Sequence, residues 1–372
     1  PLCRVSNPAR PAKLSRFSSI CVSYSCVILT RRAALVREIR TIDYHTAGEP
    51  FRIVAKPPVE IVGDTVANRR VYAMASAEVD GLRKLLCFEP RGHADMYGCF
   101  ITPPDDDGAD FGVLFWHKDG FSTACGHGTI ALGVWAIESG KVATDPSGIT
   151  DVVIDVPSGR VTARVHTKGA VIESVDFVNV ASYHMHSDIS VDTSLGALKV
   201  DVSFGGAIYA QLDVSQIGLS VTPEFYSQVI AIGREIKWAL NETEYAKHPS
   251  DPRLSGIYGT IVYEELAPGA DGLKRQRNAT IFADGEVDRS PCGSGTCARL
   301  ATLVEKKQLK IGEVLKHDSI VDSQFLGVAQ SQVSADGYTA ILPQVTGMAY
   351  KTGESIFTVD PHDPITPGFV LR

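Results

Sequence analysis

The string C-G-x-G-T occurs twice, as Cys125-Gly126-His127-Gly128-Thr129 and as Cys292-Gly293-Ser294-Gly295-Thr296, once in each half of the chain. Each copy runs into apolar residues at helical spacing, Ile130, Val134 and Ile137 after the first and Leu300, Leu303 and Val304 after the second. Such spacing marks a helix that buries one face, so each cysteine is expected at a helix N-terminus. A turn this specific, repeated together with its helix, points to a fold built of two related parts. At 372 residues the chain is long for one hydrophobic core, and two domains are the ordinary solution.

From Thr41 onward, runs rich in β-branched and aromatic residues alternate with helical ones, which reads as mixed α/β. Strands are expected at 51–55, 112–116, 152–156, 207–212, 257–262 and 279–282, each bounded by Gly, Pro or Asp. Thr222 is read as the N-cap of a helix with Pro223 in its first turn and Phe225, Val229, Ile232, Ile236 and Leu240 on its buried stripe.

Apolar residues make up 44% of the chain and charged residues 21%, with a formal net charge of -7. That is globular composition, too acidic overall for a nucleic-acid or anionic-membrane binder, and it leaves small-molecule chemistry as the leading class. No apolar run reaches the roughly 18–20 residues of a membrane-spanning helix. The 8 cysteines lack the paired spacing of a secreted disulfide framework, so reduced thiols and a cytoplasmic location are expected. Residues 1–37 form a separate zone with seven Lys or Arg and no Asp or Glu. The segment 1–38 is read as an N-terminal extension: an organelle transit peptide, a signal peptide whose apolar stretch is 20–29, or a poorly packed addition.

A helix N-terminus presents unpaired N–H groups and a partial positive charge, which lowers a thiol's pKa and cradles an anion. Two such turns facing each other would hold a small carboxylate with one thiol on each face of its α-carbon. One thiolate then removes the α-proton and the opposite thiol donates another, which inverts the centre and accounts for the duplication. Cys87, Cys99 and Cys297 are read as small buried hydrophobes. A metal site at Cys292 and Cys297 would need further ligands at recognisable spacing, and Gly133 falls too late to complete a dinucleotide-binding loop with Gly126 and Gly128. No metal or other cofactor is expected. A non-enzymatic amino-acid-binding protein is the other class; it would keep the helix N-termini but would not need two thiols.

At these residues the chain resembles the proline racemase family of proline racemases, hydroxyproline epimerases and trans-3-hydroxyproline dehydratases. The likeness covers about residues 40–372 and is carried by TIDYHTAGEPFRIV at 41–54, FEPRGHADMYG at 88–98, CGHGT at 125–129, SFGGAIYA at 203–210, DRSPCGSGT at 288–296 and DPITPGFVLR at the C-terminus. The resemblance implies a diaminopimelate-epimerase-like fold: two similar α/β domains, each a barrel-like sheet around a central helix, with catalysis in the cleft between them and no cofactor. The domains would be 39–185 with 354–372, and 186–353, with a crossover near Tyr183–Ser187. It further implies Cys125 and Cys292 as the acid/base thiols, and backbone N–H groups of Gly126, Gly293 and Ser294 on the substrate carboxylate. His127 and Asp288 would hold the ring nitrogen, and a homodimer is implied.

The same resemblance bears on the substrate. The dehydratase branch typically has Thr where this chain has Cys292, so Cys292 argues for racemisation or epimerisation. Tyr97 stands where proline racemases tend to carry Phe, and its phenol could meet a ring hydroxyl. Phe282 resembles proline racemases and 3-hydroxyproline enzymes more than 4-hydroxyproline epimerases. Proline therefore ranks first, then 3-hydroxyproline by epimerisation or dehydration, then 4-hydroxyproline.

Overall fold

The computed structural model of the chain describes residues 37–371. Nearly all of the N-terminal extension, with Cys3, Cys21 and Cys26, lies outside the described residues. Ile39–Phe357 and Pro367–Arg372 form one compact unit, which carries everything that follows. Thr358–Thr366 falls outside that unit and is turn-rich, the Asp363 N–H bonding to the Asp360 carbonyl at 3.0 Å.

Strand pairing repeats itself along the chain. In the first half Arg37–Thr46 pairs antiparallel with Glu49–Val54, which runs parallel to Gly98–Thr102. Gly98–Thr102 is antiparallel to Phe111–His117, and Phe111–His117 is parallel to Ile149–Val156. Two antiparallel steps follow, to Gly159–Lys168 and then to Val171–Val178. The second half takes the same steps in the same order, from Gly196–Phe204 to Ile208–Asp213, Ile257–Leu266, Lys274–Phe282, Val314–Ser319, Gln324–Ala335 and Tyr338–Gly347. The fold is therefore two similar halves. The second closes on itself where Ser182–Thr193 pairs with both Gly196–Phe204 and Tyr338–Gly347. The stretch Tyr183–Ser187, expected as a crossover, lies within that strand. The C-terminal residues return to the first half: the Arg52 guanidinium sits 4.5 Å from the Phe357 ring centroid, and Phe369 bridges to Glu89.

Parallel neighbours need a crossover between them, and these crossovers are the helices. Helices α1 (Val66–Ala75) and α2 (Ala77–Cys87) span the first parallel pair, and α3 (Gly126–Glu138) spans the second. Their counterparts in the second half are α4 (Tyr226–Asn241) and α5 (Gly293–Glu305). Each C-G-x-G-T string thus opens the helix that links two parallel strands, just after a short hairpin (Trp116 opposite Phe121; Ile281 opposite Val287).

Helix α3 is buried on all sides, with Ile130, Ala131, Leu132 and Ala136 fully enclosed by the strands of its half. Each large apolar side chain so enclosed contributes roughly 1.5–3 kcal/mol. Gly133 has a packing role: a Cβ there would stand 2.8 Å from the Ala163 Cβ. Helix α5 is equally enclosed but carries Arg299, which bonds to Gln276 and Gln211 and lies over the Tyr263 ring. The N-cap expected at Thr222 differs from what is found. Pro223–Phe225 form a 3-10 turn, the Thr222 side chain makes no capping bond, and α4 begins at Tyr226 with Val229, Ile232, Ile236 and Leu240 buried.

Candidate active site

The two turns meet at their first glycines. A Cβ on Gly126 would lie 2.6 Å from the Gly293 Cα, and one on Gly293 would lie 2.6 Å from the Gly126 Cα. The second glycine of each string makes room for the thiol, since a Cβ on Gly128 would stand 2.8 Å from Cys125 Sγ and one on Gly295 2.8 Å from Cys292 Sγ. The threonines tie each turn down: Thr129 Oγ1 donates to the Cys125 carbonyl at 2.8 Å and Thr296 Oγ1 to the Pro291 carbonyl at 3.1 Å. Every letter shared by the two copies thus has a physical reason.

Cys125, His127, Asp288, Cys292 and Ser294 line one cavity, together with Tyr97, Ala124, Tyr209, Tyr258 and Phe282. Gly126 and Gly293 are not among its lining residues; they form the contact between the turns. The cavity offers about 10 Å³ to the centre of a water-sized sphere, room for about one water, so a five-membered ring requires its walls to part. Beyond Tyr258 and Ser122 opens a far wider cavity of about 720 Å³, also lined by Arg70, Lys84, Asp119 and Lys237. Among the described residues no group of three or more His, Cys, Asp or Glu converges as metal ligands.

The two thiols are presented differently. Cys125 is extended (φ -157°) and caps its own helix, accepting the Gly128 N–H on Sγ at 3.2 Å. Cys292 has φ 62°, a left-handed conformation that a side-chain-bearing residue holds only under constraint, at a cost of about 1–3 kcal/mol. Its N–H is held by Ser290 Oγ at 3.1 Å, and that serine also donates to Asp288 Oδ1 at 2.7 Å.

Burial decides the protonation states. It pushes both thiols well above the ordinary range, and the Asp288 charge pushes further, while the Gly128 N–H opposes this at Cys125. The lowering expected from the helix N-termini is thus outweighed by burial. Burial also brings His127 down to about 3, leaving a neutral imidazole, and raises Asp288 against its two Ser290 bonds. His127 Nδ1 stands 3.5 Å from Cys125 Sγ and 3.9 Å from Asp288 Oδ2. Alkylation of the free protein by iodoacetamide is accordingly expected to be slow at neutral pH and to accelerate past the ordinary thiol range, near pH 8.5. A rate that levelled off below that pH would contradict this placement of the thiols.

Around this site lies a second layer of buried charge. Glu49 accepts the Arg289 N–H at 2.7 Å, the Arg289 guanidinium pairs with Asp95 at 2.8 Å, and burial raises Glu49 well above its ordinary range. Cys87, Cys99 and Cys297 are fully buried free thiols, as expected of small hydrophobes. Sequence reasoning missed Tyr209 and Tyr258. Tyr209 Oη bonds to Ser294 Oγ at 2.7 Å and stands 3.9 Å from Cys292 Sγ. Both tyrosines sit in runs read only as strands, at 207–212 and 257–262, and a hydroxyl-bearing ring there was the available signal.

A duplicated α/β fold whose paired helix N-termini bring two thiols to one closed cavity has the architecture of a diaminopimelate-epimerase-like enzyme. Residues 41–370 match the family described as Proline racemase, and the chain belongs to that family. It is 45% identical over 331 residues to a trans-3-hydroxy-L-proline dehydratase of Bacillus thuringiensis, covering 89% of this chain and 97% of the relative. It is 42% identical over 338 residues to a 3-hydroxyproline 2-epimerase of Burkholderia multivorans, covering 90% and 99%. A solved structure of a probable proline racemase from Agrobacterium radiobacter K84 superposes with a TM-score of 0.83 at 31% identity, covering 90% of this chain and 96% of that one.

Proposed function

We propose that the chain inverts the α-carbon of a five-membered imino acid by passing protons between Cys125 and Cys292. The observation that carries this reading is that both thiols line one small cavity, each at the N-terminus of its own helix. The substrate carboxylate sits against the first N–H groups of α3 and α5, at Gly126, Gly293 and Ser294, which lack intrahelical acceptors. The ring nitrogen carries two N–H groups as a cation, and neutral His127 and the Asp288 carboxylate supply one acceptor each. That cation, brought beside the thiols, lowers the pKa of the one that must ionise. The resulting thiolate takes the α-proton, the carbon flattens as charge moves into the carboxylate, and the opposite thiol protonates the other face. The step is redox-neutral and moves protons alone.

The sequence alone puts proline first among substrates. The names of relatives at 42% and 45% identity support trans-3-hydroxyproline as the preferred one, and so does the hydroxyl of Tyr258 on the cavity wall. Proline is then the second substrate. Loss of the ring hydroxyl as water after the same α-proton removal is a second reading, favoured by the dehydratase name that several similar relatives carry. It needs one base at the α-carbon and a proton for the departing hydroxyl, which that same protonated thiol can return, so it does not require Cys292. Chiral chromatography of trans-3-hydroxy-L-proline and L-proline after incubation with the protein tests the choice. The C2 epimer of either is the expected product, whereas a dehydrated ring as the only product would contradict the two-thiol reading.

A further inference from the structure

We infer that Tyr258, rather than Tyr97, is the residue that reads a hydroxyl on the substrate ring; this rests on the function proposed above. The Tyr97 hydroxyl is already engaged. It shares a 2.5 Å hydrogen bond with Ser122 Oγ and a 3.1 Å one with Tyr258 Oη. Two side-chain hydroxyls already occupy it, and Tyr97 is only 1% exposed, whereas Tyr258 is half-buried. Tyr258 ends this chain of hydroxyls. Among the described residues its Oη meets Tyr97 alone, which leaves it more hydrogen-bonding capacity than the Tyr97 hydroxyl.

The Tyr258 ring is also held in place. It stacks on Phe282 at 5.7 Å with 8° between planes, and it is met edge-on by Tyr209 at 5.5 Å and His117 at 6.0 Å. Tyr258 lines both the thiol cavity and the wide cavity. With the carboxylate at the helix N-termini and the nitrogen at His127 and Asp288, ring carbons C3 to C5 are left to the wall of Tyr97, Phe282 and Tyr258. Phe282 has no polar atom, the Tyr209 hydroxyl is bonded to Ser294 and the Tyr97 hydroxyl already has two partners, so a ring hydroxyl finds its partner at Tyr258 Oη. Proline leaves that hydroxyl unmatched, which sets the preference for a hydroxylated ring.

The test compares kcat/KM for C2 epimerisation of trans-3-hydroxyproline, trans-4-hydroxyproline and proline by the wild type, Tyr258→Phe, Tyr258→His and Tyr97→Phe. Phe keeps the ring and its stacking, so Tm should hold. Tyr258→Phe is expected to lower kcat/KM on the hydroxylated substrate about tenfold or more while proline changes little. Tyr258→His, which retains a hydrogen-bonding ring, should recover part of the preference, and Tyr97→Phe should cost less than Tyr258→Phe. An equal loss on proline and on the hydroxylated substrate would overturn the inference, as would a loss of preference confined to Tyr97→Phe. Failure of the wild type to epimerise any of the three would instead overturn the proposed function, and this inference with it.

Discussion

Cys125→Ser and Cys292→Ser are each expected to lower epimerisation by about 10²-fold or more, since a positioned acid or base contributes about 10²–10⁴-fold. An alcohol in place of a thiol keeps nearly the same shape but ionises far less readily, and it neither takes nor returns the α-proton. The fold should survive both changes. Serine is a favoured N-cap, so in Cys125→Ser the new hydroxyl oxygen would accept the Gly128 N–H that Cys125 Sγ accepts now. At position 292 the strained φ of 62° belongs to the backbone, and serine inherits it without added bulk. Circular dichroism and Tm would verify folding, and chiral chromatography would read the rate. More than about a tenth of wild-type activity in either folded variant would argue against two thiols, because removal of a general acid or base should cost about 10²-fold.

Gly126→Ala is expected to be nearly as damaging without touching either thiol. The new Cβ would come 2.6 Å from the Gly293 Cα and 2.7 Å from the Ser294 N. Both are backbone atoms at the start of a fully enclosed helix, so no flexible side chain can move aside. Either the two helix N-termini separate or the strands around them shift. Overpacking of this kind costs about 1–3 kcal/mol of stability, and a misplacement of about 1 Å at reacting groups costs about 10²-fold in rate. The expected result is that Tm falls by several degrees and kcat falls by about 10²-fold. Unaltered kcat in Gly126→Ala would show that the contact between the turns does not set the thiol geometry. Gly293→Ala, its counterpart, should behave alike.

Much of this arrangement is legible in the sequence because its signals are local. The repeated string and the apolar steps after it place both cysteines at helix N-termini, and α3 and α5 begin there. Six strands are recognisable from β-branched runs, yet their ends are not. The strand expected at 279–282 extends back to Lys274, through Lys274, Arg275, Gln276 and Arg277. Those polar residues are strand because they pair in register with Val314–Ser319, about forty residues away in sequence. Ser182–Thr193 is hidden for the same reason, since its partners lie on both sides of it in the fold.

The site divides in the same way. Cys125, His127, Asp288, Cys292 and Ser294 are identifiable from contiguous motifs, whereas Tyr209 and Tyr258 reach the cavity through strand pairing and stacking. The direction of the thiol pKa values is opposite to the one expected because a helix N-terminus is visible in sequence, while the completeness of burial depends on the closure of two halves around the thiols. Gly126 and Gly293 are expected from the sequence to contact the substrate. Their reciprocal contact across the turns adds a steric reason for glycine that no reading of one motif alone supplies.

Isotope incorporation in heavy water tests the two-thiol transfer most directly. In it, trans-3-hydroxy-L-proline or L-proline is followed by proton NMR during the first few per cent of conversion. In the proposed transfer the thiol that removes the α-proton stands on one face, and the thiol that delivers to the other face has already exchanged with solvent. The C2 epimer should therefore appear carrying deuterium at the α-carbon while the unreacted isomer keeps its protium. An epimer that retained protium, or deuterium entering the starting isomer as fast as the epimer forms, would mean one base serving both faces and would contradict the roles given to Cys125 and Cys292.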